Sequence, residues 1–343
     1  MQIQFLGTSA GTPTKTRNMT AIALRMRGAK HWALVDCAEG TQYRLLRTRL
    51  SPMGLRAIFI THLHGDHCYG LPGLLASAGM LGRTDPMTIV GPPPLRTMVD
   101  AIMQASQLTL PYAIDWVPVE ALGQAQVLPD MRVEATALSH RIASFAYSFT
   151  EASVERKLDT GKLAAGGIAS GPAWGEIQQG RDVVLPDGRK VRAEDFLLAP
   201  RKSRKVIIAG DNDTPALLGA QAADADLLVH EATYTDAILH KVGPGPQHSS
   251  AAMTARFAQQ AGIPHLILTH FSPRYLDGNA GKSGVLGLDD IEREAREHYC
   301  GNLALARDLA SFELRKDGSL HADSERPATI SSCRKKPPSS LDP

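Results

Sequence analysis

Cysteine is scarce in this 343-residue chain, and the four present, Cys37, Cys68, Cys300 and Cys333, show no C-x-x-C spacing. That argues against a disulfide-stapled scaffold and against a thiolate zinc knuckle. Long apolar runs are missing as well. No stretch reaches the roughly 18 residues that a membrane-spanning helix requires, and the opening Met1-Gln2-Ile3-Gln4-Phe5 reads straight into a strand rather than a secretion signal. The expected compartment is the cytoplasm, with no membrane partner. An excess of one charge is also lacking: a formal net charge of +2 means that nucleic-acid binding must come from local clusters. The remaining composition, 43% hydrophobic and 21% charged, is ordinary for a chain with a sizeable core, organised as two half-domains or one large two-layered domain.

What the chain does have is a burst of metal-ligating side chains. His62, His64, Asp66 and His67 lie in the run T-H-L-H-G-D-H, directly after the apolar segment Leu55 to Ile60. A buried strand that ends in imidazoles and a carboxylate aims several donors at one point. Residues two apart in a loop can face one side, so His62 and His64 can grip one ion while Asp66 and His67 reach a second, with Gly65 letting the backbone bend. Imidazole and carboxylate suit zinc, or manganese where oxygen ligands dominate. Taken alone, such a run is also compatible with an adventitious site. Further donors end other strand-like runs: His140 after 131 to 139, Asp211 after 205 to 210, His230 and Glu231 after 225 to 229, and His270 after 265 to 269. Strand ends gathered on one edge of a sandwich would bring these together.

The hydrophobic pattern predicts strands over 2–8, 21–27 and 31–36, then a helix over 41–50 with Tyr43, Leu46 and Leu50 along one face. Helices follow over 71–81 and 95–107, and strands dominate 112–149. The second half predicts a strand over 205–210, a helix near 215–223, a strand over 226–230, a helix over 250–261 and a strand over 264–269. Strands flanked by helices in both halves point to two sheets packed face to face with helices outside. Between Thr150 and Arg204 the texture changes. The segment from Gly161 to Pro172 is glycine-rich with little hydrophobic periodicity and is not expected to pack in a core. From Arg181 to Lys205, eight basic residues stand against four acidic ones, which on charge alone reads as a solvated loop. From Lys316 the chain is rich in Ser, Pro and charge, so 316–343 is expected to be a disordered tail, with Arg334-Lys335-Lys336 able to touch RNA weakly. His31, His240, His265, His298 and His321 show no partner pattern and read as structural or surface residues.

Several segments, in order, give the chain a family likeness. Phe5-Leu6-Gly7-Thr8 opens it, Pro13 to Asn18 resembles a P-x-K-x-R-N loop, and Asp36-Cys37-Ala38-Glu39-Gly40-Thr41-Gln42 resembles D-C-G-E-G-T-Q with Ala38 in place of a glycine. Gly210-Asp211, His230-Glu231-Ala232-Thr233, His248-Ser249-Ser250 and His270-Phe271-Ser272-Pro273-Arg274-Tyr275 follow, with Asn212 where the family often has Thr. The T-H-L-H-G-D-H run alone leaves lactamases, thioesterases, lactonases and phosphodiesterases open. Together the segments resemble ribonuclease Z, the tRNA 3′-processing endoribonuclease of the metallo-β-lactamase superfamily, over about residues 1 to 312.

The resemblance implies an α/β fold, the four-layer αββα metallo-β-lactamase sandwich, over residues 1–315, with a protruding arm inserted at about 150–204. It implies a zinc-dependent endoribonuclease that removes the 3′ trailer of a tRNA precursor after the discriminator base, leaving a 3′-hydroxyl on the tRNA and a 5′-phosphate on the trailer. His62, His64 and His140 would hold one Zn2+ (or Mn2+), Asp66, His67 and His270 the other, and Asp211 would bridge them. Asp66 is the implied proton acceptor and His248 the proton donor, with Glu231 on its other ring nitrogen. Lys15, Arg17, Gly171, Pro172 and Arg274 are the implied substrate contacts, Arg274 alternatively buttressing His270. A homodimer is implied, with the arm gripping precursor tRNA at the partner subunit's site, and no nucleotide cofactor. Two rivals stay open. Another hydrolase of the superfamily would share the ligands without needing the arm, and a non-catalytic RNA-binding protein would keep the fold alone.

Overall fold

Neighbouring side chains of a strand point to opposite faces, so a run that is apolar on both faces belongs in the middle of a layered fold. The computed structural model, which describes residues 1–277, 284–323 and 330–331, bears this out in both halves. Its strands are β1 (Gln2–Gly7), β2 (Ala21–Arg25), β3 (Trp32–Val35), β4 (Leu55–Phe59), β5 (Met87–Gly91), β6 (Ile114–Pro118), β7 (Met131–Leu138), β8 (Ser144–Glu151), β9 (Val183–Val184), β10 (Lys190–Val191), β11 (Lys205–Ala209), β12 (Leu227–Glu231), β13 (His265–Thr269), β14 (Asn302–Leu305), β15 (Ser311–Leu314), β16 (Leu320–Ala322) and β17 (Ile330–Ser331).

Eight of them form one sheet, in the order β16-β15-β1-β2-β3-β4-β5-β6, and seven form a second, β17-β14-β13-β12-β11-β8-β7. Ala57 and Phe59 of β4 share one buried cluster with Tyr147, Phe149, Val206, Ile208, Val229 and Ile267 of the second sheet. The alternate residues Ile58 and Ile60, with Leu55 across a register shift in the strand, bury instead against Leu71, Leu74 and Leu75 of the helix Leu71–Met80. In the second sheet Ile207, Leu228, Leu266 and Leu268 turn the other way, onto Ala251, Ala255 and Ala258 of the helix Ala251–Gln260. Two sheets with helices outside are thus required by the pattern. Each fully buried large aliphatic side chain contributes about 1.5–3 kcal/mol, so dozens of them set the scaffold independently of any bound ion.

The chain divides into two compact units, Met1–Thr150 with Arg204–Pro343, and Glu151–Ser203. The smaller unit is more ordered than its glycine content predicts. It holds helices Thr160–Ala165 and Pro172–Gln178 and the β9–β10 hairpin around a small core of Leu163, Ile168, Ile177, Leu185, Val191 and Leu197. Sparse apolar residues suffice because the unit is small, and periodicity is hard to see in helices of one or two turns.

Other expectations need correction. The helix expected over 41–50 ends at Leu45, burying only Thr41 and Leu45, so Tyr43 and Leu46 face out, 60% and 79% exposed. Helices Asp236–Val242 and Leu288–His298 were not anticipated, although Leu288, Ile291 and Ala295 repeat at helical spacing and are buried. The expected disordered tail begins too early: β16 pairs with β15 through Leu314↔Leu320, and Ile330 pairs with Ala304 of β14. A single leucine or isoleucine per short strand was enough to close a sheet edge. Residues 324–329 and 332–343, including Arg334 to Lys336, lie outside the described residues.

Candidate metal centre

The parallel strands of each sheet end on functional side chains. His62 stands three residues beyond β4, Asp211 two beyond β11, Glu231 closes β12 and His270 follows β13 directly. His140 comes two residues after β7. The carboxyl ends of parallel strands are where α/β sheets gather ligand sites. His64 to Cys68 turns into a short helix, Gly65–Cys68, which presents Asp66 and His67. Gly65 has a role other than bending: a Cβ there would lie 2.4 Å from the Tyr69 ring, so the glycine makes room for that side chain.

The donors converge. His62 Nε2 and His140 Nε2 each lie 3.1 Å from His64 Nδ1. His67 Nε2 and His270 Nε2 are 3.3 Å apart, with Asp66 Oδ2 at 3.7 and 3.4 Å from them. Asp211 faces both groups: Oδ2 lies 3.6 Å from His62 and 3.7 Å from His140, and Oδ1 lies 3.3 Å from both His67 and His270. Donor atoms about 2.0–2.1 Å from a tetrahedral zinc sit about 3.3 Å from each other. Imidazole lone pairs facing one another at this spacing, buried, fit a cation between them. The structure brings His62, His64, His140 and Asp211 together in one group and Asp66, His67 and His270 in another.

Hydrogen bonds fix most of the rings. Asp36 Oδ2 accepts from His67 Nδ1 at 2.7 Å, which leaves Nε2 as the lone-pair atom. Thr61 Oγ1 lies 3.1 Å from His62 Nδ1, Gln247 O accepts from His140 Nδ1 at 2.9 Å, and Thr233 Oγ1 lies 3.0 Å from His270 Nδ1. Asp66 Oδ2 accepts the Gly11 backbone N–H at 2.6 Å. Burial, reinforced by neighbouring imidazoles, holds His62, His64 and His140 below the usual histidine range, so they stay neutral donors. Burial opposes ionisation of Asp66 and Asp211, yet the surrounding histidines keep both below the usual carboxylate range.

His248 is different in kind. It precedes the helix Ala251–Gln260, whose N-cap Ser250 accepts from Met253 N. Its Nδ1 sits 3.1 and 3.2 Å from the two Glu231 oxygens and 3.7 Å from Asp211 Oδ2. Burial would depress this ring, but the Glu231 carboxylate outweighs it and lifts the pKa to about 9. Asp211, His248 and His270 also come close enough to form a third donor group. Glu231 occupies Nδ1 more closely than Asp211 does. Glu231 itself accepts from Asn212 N at 2.6 Å and from the Thr233 hydroxyl.

Of the expected substrate contacts, Lys15 is exposed on its loop, and Gly171 and Pro172 are exposed at the start of a helix in the smaller unit. Arg274 is exposed and lies 5.7 Å above the Tyr234 ring, which meets His248 edge-on at 6.1 Å. Arg17 needs correction. It is buried, 3% exposed, and its two terminal nitrogens donate to Asp277 Oδ1, Ser272 O and Tyr275 O. A side chain so enclosed clamps two loops together.

Sequence reasoning missed Asp36, Thr61 and Thr233. Asp36 lay inside a quoted motif, and its left-handed φ of 60° is the local signature of a carboxylate held by its surroundings. Thr61 donates to it from both N and Oγ1, at 2.8 and 2.9 Å. Since Asn also tolerates left-handed backbone, Asp36→Asn should fold yet bind metal or turn over about 10–100-fold less well, as outer-shell partners of ligating histidines do. Chelator competition measures this, and wild-type retention of metal would remove Asp36 from the centre.

Known proteins resemble this chain over nearly its full length. Ribonuclease Z of Marinobacter nauticus is 50% identical over 321 residues, covering 94% of this chain and 98% of that protein. Ribonuclease Z of Pseudomonas putida strain W619 is 49% identical over 320 residues, covering 93% and 98%. The crystal structure of the short form of human tRNase Z aligns with a TM-score of 0.62 at 26% identity, covering 92% of this chain and 100% of that one. A family model described as anti-Pycsar protein Apyc1 matches residues 1–150.

Proposed function

From the premise that this chain belongs to the ribonuclease Z family, metal-dependent nucleases of the metallo-β-lactamase fold, we propose that it removes the 3′ trailer of tRNA precursors. Cleavage after the discriminator base would leave a 3′-hydroxyl on the tRNA and a 5′-phosphate on the trailer. His62, His64 and His140 would hold one Zn2+, Asp66, His67 and His270 a second, with Asp211 shared, and Mn2+ is the alternative occupant. Held by these residues, divalent cations would supply a water of lowered pKa, toward about 7, and neutralisation of charge developing on the phosphoryl oxygens.

The residues divide the proton work. Asp66, fixed by the Gly11 N–H, orients the attacking water and accepts its proton. His248 donates to the departing ribose 3′-oxygen, which is a poor leaving group as an anion; Glu231 accepts from Nδ1 and favours the doubly protonated ring, whose Nε2 proton is the one to be delivered. The observation that carries this reading is the His248–Glu231 pair beside Asp211, a proton donor facing a set of cation ligands.

The smaller unit would hold the tRNA body. Arg181, Arg189 and Arg192 are exposed and paired with Glu176, Asp187 and Asp195. Such surface pairs are worth about 0–1 kcal/mol, so phosphates can displace the carboxylates. A homodimer is supported by large apolar side chains left outside: Tyr43, Leu46, Met80 and Leu81, between 60% and 81% exposed, on helices joined by the Gln42–Ser77 hydrogen bond. The proposed place of work is the cytoplasm; among the described residues no helix is long and apolar enough to cross a membrane.

Incubation of the purified protein with a precursor tRNA carrying a 3′ trailer tests the reading. The expected result is a single cut after the discriminator base, abolished by a chelator and restored by zinc or manganese. Chelator-insensitive cleavage, or none with metal supplied, would refute it.

A further inference from the structure

A cleft of about 360 Å³ opens beside His248, within the range of about 300–1,000 Å³ typical of small-molecule sites. Leu239, Pro244 and Met253 give it an apolar wall, and Gln247, Asp213 and His240 line it with donors and acceptors. The ring of His240 donates from Nδ1 to Asp236 O at 2.7 Å, which leaves its Nε2 as an acceptor. Its walls are tied to the metal ligands. Gln247 O accepts from His140 Nδ1 at 2.9 Å, and Asp213 N donates to Ser139 O at 3.0 Å, the residue before His140. The cleft therefore keeps a fixed position relative to the reacting centre.

We propose that this cleft is the subsite for the nucleobase immediately 5′ of the scissile phosphate. The inference rests on the reading of His248 as donor to the leaving 3′-oxygen. That oxygen belongs to the upstream nucleotide, whose base is attached to the same ribose a few bonds away, so the base must lie on the His248 side. An apolar wall with polar groups around it suits a nucleobase, whose faces are apolar and whose edges carry donors and acceptors. The base seated there aligns the ribose 3′-oxygen with His248, so the cleft is a positioning and specificity element for the cut.

The experiment compares two precursors, one intact and one abasic at the discriminator position, in wild type, Met253→Ala and Leu239→Ala, reading kcat/KM. Base contacts of this kind are worth about tenfold or more, so wild type should prefer the intact precursor by at least about that factor. Each variant should lose the preference by slowing on the intact precursor while the abasic one changes little, and two variants guard against one failing to fold. Three results would overturn the subsite: no wild-type preference, an unchanged preference in both variants, or a variant effect that follows an abasic first trailer nucleotide instead. If wild type cleaved neither precursor with metal present, the parent reading would fall first and the subsite with it.

Discussion

His248→Ala is expected to lower turnover by about 10²–10⁴, the range lost when a positioned general acid is removed, while bound metal per chain stays near wild type. The two halves of this expectation have different origins. Metal is retained because His248 spends Nδ1 on Glu231 and stands outside the two groups proposed to hold the cations, His62, His64, His140 with Asp211 and Asp66, His67, His270. Turnover falls because an alkoxide must then leave unprotonated. The same argument sets an internal control: a phosphodiester with an activated leaving group, such as bis-p-nitrophenyl phosphate, needs no proton at departure and should suffer far less. Equal losses on both substrates, or loss of metal, would show that His248 acts on the centre as a whole, and unchanged turnover would remove the acid role.

Asp211→Ala should have an effect at least as large, of a different type. Both oxygens of this buried carboxylate face histidine nitrogens of the two ligand groups, at 3.3 to 3.7 Å. Without it the remaining imidazoles carry no shared counter-charge, so bound divalent cation per chain should drop. Turnover should fall by about 10³-fold or more, since charge stabilisation by a cation is worth several kcal/mol at 1.36 kcal/mol per tenfold. Asp211→Asn keeps the shape and loses the charge, and should behave alike. Elemental analysis with kcat/KM reads both consequences. Full metal with full activity in Asp211→Asn would break the assignment. The layered core should keep both variants folded, which far-ultraviolet circular dichroism checks.

Much of this was legible in the amino-acid order. Leu55 to Ile60 and Lys205 to Gly210 carry apolar side chains on both strand faces, and that pattern admits few places in a fold besides a buried central strand. His140, Asp211 and His270 could be picked out because each ends such a run. Arg17 was misread for an equally physical reason. Loop arginines are usually solvated, and nothing local announces that Asp277 and two carbonyls of residues 272–275 will enclose this one. Tyr43 and Leu46 fit a helical stripe on paper, but burial is decided by what packs opposite, which spacing does not encode. Short strands such as Leu320–Ala322 carry too few residues for any period to register.

The donors come from His62 to His270, and neither sheet supplies a complete set: His62, His64, Asp66 and His67 follow the first, and His140, Asp211 and His270 the second. During synthesis the emerging first half can therefore expose only a partial chelate, and high-affinity capture must await the late strands. Uptake of a divalent cation at the proposed centre would then report completed assembly, and a chain stalled or truncated before residue 270 should be discriminated by its poor retention of that cation.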